Sequence, residues 1–199
     1  MNSFAMIDKL AQHIRKIVDL SANEEAELSD FFDVRTFDKK EKMLEAGSRC
    51  NDHFFIVEGC ARMFFVNSKG VEHTVQFAIE NWWITDYSVF GRPVTTDFFI
   101  QGIERTEVLV INFQRQEELY RRMPKIERYF RLIYQRAYAA SQFRTKYLFG
   151  YSKEQIYRHF NDAFPDFTGR VPQHLLASYL NMTPEYLSEI KNKVDLNPD

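Results

Sequence analysis

Apolar and polar residues follow three different rhythms along this chain. From residue 4 to 18, Phe4, Ile7, Leu10, Ala11, Ile14 and Val18 fall on one face of a 3.6-residue period, which predicts an amphipathic helix. A shorter helix is expected over 21–28, capped by Ser21 and acidic in its first turn. Between Phe31 and Phe113 the rhythm shortens. Runs rich in Phe, Val, Ile and Thr at 34–37, 42–44, 53–57, 61–66, 72–78, 82–84, 98–104 and 107–111 are separated by turn signals that include Gly47, Gly59 and Gly70. Eight short strands of this kind predict a double-sheet jelly roll, which leaves few open edges.

The third rhythm begins after a short helix expected at 114–123 and closed by Pro124. Residues 125–149 hold no glycine or proline, which predicts a helix of roughly 37 Å. On it Ile126, Phe130, Ile133, Ala137, Ala140, Arg144 and Tyr147 recur in steps of four and three, a seam that suits an identical helix from a second subunit. A second stripe of Tyr129, Leu132, Arg136 and Phe143 is placed to rest on the chain's own preceding domain. A helix buried in one globular core explains the same pattern equally well. Beyond it, Ser152 and Gln155 form a capping box that opens a helix through Ile156, Phe160 and Phe164, ended by Pro165. The segment FPDFTGR then reads as a loop, with Gly169 at a reversal.

Residues 171–193, VPQHLLASYLNMTPEYLSEIKNK, meet the demands of a helix-turn-helix. Ala177 is small where two helices cross. Leu176, Leu180, Met182, Leu187 and Ile190 supply a shared core. Asn181 tolerates the left-handed turn conformation, Thr183 caps the second helix, and Pro184 takes its first position.

Composition narrows the class. Hydrophobic residues make up 45% and charged residues 27% of 199, which fits a globular protein. No apolar run approaches the roughly 18 residues of a membrane span, and Asp8, Lys9, Arg15 and Lys16 interrupt the first apolar pattern, so neither a membrane anchor nor a secretory signal is expected. Two cysteines, Cys50 and Cys60, are too few for a disulfide framework or a four-thiolate iron–sulfur cluster, and a cytoplasmic setting is expected. The formal charge of −2 conceals a segregation: residues 1–116 carry 13 basic and 18 acidic side chains, residues 117–160 carry 10 and 4, and residues 161–199 carry 3 and 6.

The run LEAGSRCNDHFFIVEGCARMFFVNSKGVEHTVQF resembles the first part of a cyclic-nucleotide-binding β-roll of the Crp/Fnr regulator superfamily, and ASYLNMTPEYLSEIKNK resembles that family's C-terminal DNA reader. The resemblance implies an α+β protein in three parts: a β-roll sensor domain over 1–124, a dimerisation helix over 125–150, and a winged-helix-like helix-turn-helix over 151–199. The wing itself is not evident, since only VDLNPD follows Lys193. It also implies a homodimeric transcriptional regulator that binds double-stranded DNA and answers a small-molecule effector.

The effector site departs from the family pattern. Cyclic-nucleotide binders of this kind carry a Gly-Glu pair for the ribose and an Arg-Ser or Arg-Thr pair for the phosphate, whereas this chain reads WWITDYSVFGRPVTTDFFIQ. Asp86 stands near the ribose position without a preceding glycine, Asp97 falls where an arginine is expected, and a carboxylate there repels phosphate. Cyclic AMP is therefore not the expected effector. The candidate ligand residues are Phe77, Trp83, Asp86, Tyr87, Ser88, Arg92, Thr96 and Asp97. The rings of Phe77, Trp82, Trp83, Tyr87, Phe90, Phe98 and Phe99 either line a pocket for a flat ligand or fill a core.

For the reader, Thr183, Pro184, Glu185, Tyr186 and Ser188 are expected to face the major groove, with Arg170, Gln173, His174, Lys191 and Lys193 left for phosphates. Glu185 can accept a hydrogen bond from cytosine N4, and Glu189 stands where the family commonly places arginine. His53 and His73 lack the His-x-His spacing of a metal-binding cupin. Neither a catalytic constellation nor a cofactor or metal site is expected. The alternative function is a small-molecule or protein-binding module whose helix-turn-helix no longer grips DNA.

Overall fold

The computed structural model describes residues 2–196, which form two compact bodies. The first comprises the chain up to Phe65 together with Gln76–Gln135, and the second comprises Val66–Val75 and the chain from Arg136 onward.

The first body opens with α1 (Ser3–Arg15), capped by the Asn2 side chain on the amide of Ala5, and α2 (Ala22–Leu28), where Ser21 and Glu24 complete a capping box. A 3₁₀ turn at Ser29–Phe31 leads into eight strands: β1 (Asp33–Phe37), β2 (Lys42–Leu44), β3 (Asp52–Glu58), β4 (Ala61–Val66), β5 (Glu72–Ala78), β6 (Trp83–Ile84), β7 (Phe99–Gly102) and β8 (Thr106–Asn112). They form two four-stranded sheets in the orders β1-β8-β3-β6 and β2-β7-β4-β5, as expected of a jelly roll. α3 (Phe113–Arg122) and the first half of α4 (Pro124–Gly150) complete the body.

The alternation of β3 and β8 explains the layering. Phe54 and Ile56 of β3, with Val108 and Val110 of β8, point between the sheets and join Phe37, Leu44, Ala61, Ile84 and Ile100. Their neighbours Phe55, Val57, Leu109 and Ile111 point the other way, against Leu10 and Ile14 of α1, Leu119 of α3, and Ile126, Tyr129 and Phe130 of α4. Both strands are therefore buried on two faces and read as continuous apolar runs. Each fully buried Phe or Ile contributes about 2–3 kcal/mol of transfer free energy. Gly59, at φ +101°, makes the turn between β3 and β4, where a Cβ would meet the carbonyl oxygen of Arg105 at 2.6 Å. Only glycine fits there.

The burial of Ile126 and Phe130 corrects part of the expected subunit seam: both are consumed by the chain's own core. The second stripe is met at Tyr129, which is buried in the chain's own core, and corrected at Arg136 and Phe143, which are exposed. The divide runs across the helix and not along it: its residues up to Gln135 belong to the first body and those from Arg136 to the second.

In the second body α4 continues to Gly150 and is followed by α5 (Lys153–Ala163), α6 (Pro165–Arg170), α7 (Gln173–Tyr179) and α8 (Pro184–Leu196). Ser152 and Gln155 form the expected capping box of α5. The expected loop over FPDFTGR is instead α6: Pro165 ends one helix and, at the first position of the next, starts another, with Phe167 as its buried anchor. The core is Ile156, Tyr157, Phe167, Val171, Leu175, Leu176, Ala177, Leu180, Leu187 and Ile190. Of the segment where no wing is expected, Val194–Leu196 continue α8, and residues 197–199 lie outside the described residues.

Candidate functional sites: a self-filled loop and a helix-turn-helix

Three of the expected ligand residues converge in the loop between β6 and β7. The Asp86 carboxylate is 3% exposed. Its Oδ1 accepts from the Ser88 amide at 3.0 Å and the Ser88 hydroxyl at 2.6 Å, and its Oδ2 accepts from the Thr96 hydroxyl at 2.6 Å. Thr96, also buried, is fixed through its backbone to Gly47 and Ser48. Arg92 lies outside this cluster, donating to the Ser88 carbonyl from an exposed position. A buried carboxylate needs donors of this kind, since burial without them would cost several kcal/mol. The loop thus holds an anion of its own.

The remaining candidates do not join it. Asp97 is exposed and Phe77 is buried in β5. Trp83 packs beneath the helices, with its centroid 4.9 Å from that of Phe130 and its indole N–H donating to the Tyr129 hydroxyl at 2.7 Å. Nor do the seven rings line one pocket. Phe99 stacks on Phe64 at 5.0 Å, Phe98 meets Phe65 edge-on, and Trp82 is substantially exposed. Successive strand residues face opposite sides, so neighbours in sequence part company in space. The space between the sheets is occupied by Phe54, Ile56, Ile84 and Ile100, with Phe90 packed against them.

A polar network that the sequence does not predict lies next to this loop. His53, fully buried in β3, places Nε2 3.0 Å from the Tyr87 hydroxyl and Nδ1 3.0 Å from Oε1 of Gln116 in α3. The Gln116 amide nitrogen donates in turn to the hydroxyls of Tyr120 at 2.8 Å and Tyr134 at 3.0 Å. Because Oε1 can only accept, His53 donates from Nδ1, and Tyr87 donates to Nε2. Desolvation lowers the His53 pKa to about 3, with the Gln116 bond opposing, so the ring is neutral. Desolvation pushes the phenols of Tyr87, Tyr120 and Tyr134 up, although 38% of the Tyr87 residue stays exposed. The available signal was Gln116 itself, a polar residue one turn before Leu119 on the buried face of α3. Cys50 lies nearby, its thiol 3.1 Å from the Thr85 hydroxyl and its pKa raised by burial.

The helix-turn-helix follows its expectations closely. Asn181 adopts φ +56°, the Met182 amide donates to the Ala177 carbonyl at 3.0 Å, and the Thr183 hydroxyl accepts from the Tyr186 amide at 3.2 Å. Ala177, Leu176, Leu187 and Ile190 are buried, and Met182 is half-buried. This packing leaves Thr183, Pro184, Glu185, Tyr186 and Glu189 exposed, with Ser188 half-buried, on the opening turns of α8. Gln173, though exposed, donates to the Pro184 carbonyl at 2.9 Å and so ties α7 to the start of α8. Arg170, His174 and Lys193 are exposed and Lys191 is half-buried. Among the described residues no three His, Cys, Asp or Glu side chains come together as a metal site, and no helix is long and apolar enough to cross a membrane.

No protein-family model matches the chain, and no curated protein matches its sequence. Solved structures do match its fold. FixK2 from Bradyrhizobium japonicum superposes with a TM-score of 0.69 at 13% identity, over 83% of this chain and 85% of its own. A protein of the Crp/Fnr family from Eubacterium rectale gives 0.68 at 12% identity, over 89% and 85%. The c-di-GMP responsive global regulator CLP from Xanthomonas campestris gives 0.67 at 12% identity, over 96% and 91%. The chain has the fold of the Crp/Fnr regulators, roll and helical part alike.

Proposed function

We propose that this protein is a dimeric, DNA-binding transcriptional regulator of the Crp/Fnr type that does not take cyclic AMP as its effector. The observation that carries this reading is the local chemistry of the helix-turn-helix: Ala177 at the crossing, Asn181 in the left-handed turn, Thr183 as cap, and an exposed face on the first turns of α8. A helix presented in this way is suited to the major groove. Its acidic members favour hydrogen bonding to base amines, and Glu185 is matched to cytosine N4. The second half of α4, with Tyr138, Phe143 and Phe149 exposed, is the surface on which a second copy would pair.

The roll acts here as the sensor or as a fixed scaffold. The Asp86 nest supports the latter for nucleotides, because the donors that would hold a phosphate already hold a carboxylate. A second reading, that the helical body binds protein and not DNA, is favoured by one observation: Glu185 and Glu189 are both exposed on the reading helix.

Titration of a random-sequence duplex at several salt concentrations decides between them. Affinity that falls steeply with salt is expected of the regulator, since counterion release drives nonspecific binding. Failure to bind even at low salt would favour the protein-binding module.

A further inference from the structure

The tip of the β4–β5 hairpin, from Val66 at the end of β4 to Val75 in β5, belongs to the helical body, while the rest of both strands belongs to the roll. Residues 66–75 form a well-braced finger. The Asn67 side chain accepts from the amides of Lys69 and Val71, the Asn67 amide donates to the Val71 carbonyl, and the Asn67 side-chain nitrogen lies 2.8 Å from Nε2 of His73. A turn satisfied from within moves as a unit.

That finger meets the end of α7. The Ser178 hydroxyl accepts from the Thr74 amide at 3.0 Å and donates to the Glu72 carbonyl at 3.1 Å, so one side chain uses the hairpin's backbone as a strand edge would be used. Arg144 of α4 joins both sides: its Nη2 donates to the Thr74 carbonyl at 3.3 Å and to the Tyr179 carbonyl at 2.9 Å, and its guanidinium lies 4.8 Å from the Tyr179 ring centroid. Thr74 is buried by this contact, while Nε of Arg144 is buried without a partner. The contact is thus polar and carries an unsatisfied donor. Such a contact is made and broken more readily than an apolar one, because water can replace each of its bonds.

We infer that the hairpin tip is a latch on the helix-turn-helix, held by Ser178 and Arg144, and that its release alters how α7 and α8 engage DNA. The second half of this inference rests on the DNA-binding reading; the first does not. The tip continues directly into β4 and β5, so any change in those strands pulls on the latch through covalent bonds.

Hydrogen exchange on the full chain tests it. Ser178→Ala removes the acceptor of the Thr74 amide, and Arg144→Met removes the second clamp. Exchange at residues 72–76 is expected to rise at least tenfold in each variant, with tryptic cleavage at Lys69 accelerated in parallel. Ser178→Thr, which keeps the hydroxyl, is expected to restore protection. Exchange within twofold of wild type in both S178A and R144M would overturn the latch. If a variant loses the protection of α8 as well, and so has lost the helical fold, Ser178→Thr against wild type at Lys69 decides: equal cleavage supports the hydroxyl's role, and cleavage at the rate of an unfolded chain overturns it. For the second half, S178A is expected to shift affinity for a random duplex at least fivefold, and a shift below twofold overturns that half. Wild-type protein that binds no duplex at any salt would remove the DNA reading and that half together, while the exchange result still judges the latch.

Discussion

Nδ1 of His53 lies 3.0 Å from Oε1 of Gln116, a bond made in full burial between residues 63 positions apart. It joins the middle strand pair of one sheet to the helix that leads into α4, and it is the hub from which Tyr87, Tyr120 and Tyr134 are all held.

The burial of His53, which this bond opposes without outweighing, gives the stability a distinctive acid dependence. The folded pKa of His53 is lowered to about 3 against an ordinary 6.5, so between those values the unfolded chain binds a proton that the folded one does not. Stability from this group is therefore complete above pH 6.5 and falls as pH drops toward 3. The slope approaches about 1.4 kcal/mol per pH unit once the unfolded histidine is protonated. Urea unfolding between pH 6.5 and 5, above the range where most carboxylates titrate, is expected to show this slope in wild type and a flatter one in His53→Phe.

Gln116→Leu is expected to destabilise by about 2–4 kcal/mol, since it strands one buried ring nitrogen and deprives two half-buried phenols of a donor. The double replacement His53→Leu with Gln116→Leu should cost less than the two single changes added together, and a double-mutant cycle in urea measures the difference.

For the loop anion, Asp86→Ala is expected to cost about 2–4 kcal/mol, because the buried Thr96 hydroxyl and its neighbours lose a charged acceptor. Millimolar formate, which can replace the carboxylate, should recover part of the lost melting temperature, while chloride at equal ionic strength should not. Cyclic AMP at 1 mM is expected to leave wild-type melting unchanged. A ligand at 100 times its Kd would add about 2.7 kcal/mol, a shift easily seen by scanning calorimetry.

Tyr138, Phe143 and Phe149 are 67%, 56% and 90% exposed on the second half of α4 and at its end. Tyr138→Glu combined with Phe143→Glu is expected to halve the molar mass in light scattering at micromolar concentration without loss of helicity. An unchanged mass would place any subunit contact elsewhere.

At the reading helix, Glu189→Arg replaces an acceptor with a phosphate-seeking cation. Affinity for random duplex should rise about tenfold at low salt, and the slope of log K against log salt should steepen by about one to two, as expected when repulsion is exchanged for a new phosphate contact.

The helix-turn-helix was legible because its determinants are local: Asn181, Thr183 and Pro184 act within a few residues of one another, and each permits little else. The strands were legible to within a few residues for the same reason, their ends being set by turns such as Gly59. The His53 network was not, because its members come from β3, a loop, α3 and α4, and only tertiary packing brings them together. The expectation at α6 failed on a local ambiguity, since a proline after a helix marks a stop and the first position of a new helix equally well. The choice between a pocket and a core for the rings was only partly legible: Phe77 and Trp83 are core, but ring content along a strand says nothing about which face each ring takes. The sequence marks Asp86 near the ribose position, but the three hydrogen bonds its carboxylate accepts from Ser88 and Thr96 depend on how the loop folds.

The chain passes between its two bodies at three points, after Phe65, Val75 and Gln135. Neither body is therefore a continuous piece of gene. A fragment beginning at residue 136 would lack ten amino acids that complete it, and a graft of residues 136–199 onto a foreign roll would inherit a stranger's loop in their place. Recombination that exchanges heads among such proteins would have to carry over a short internal cassette as well.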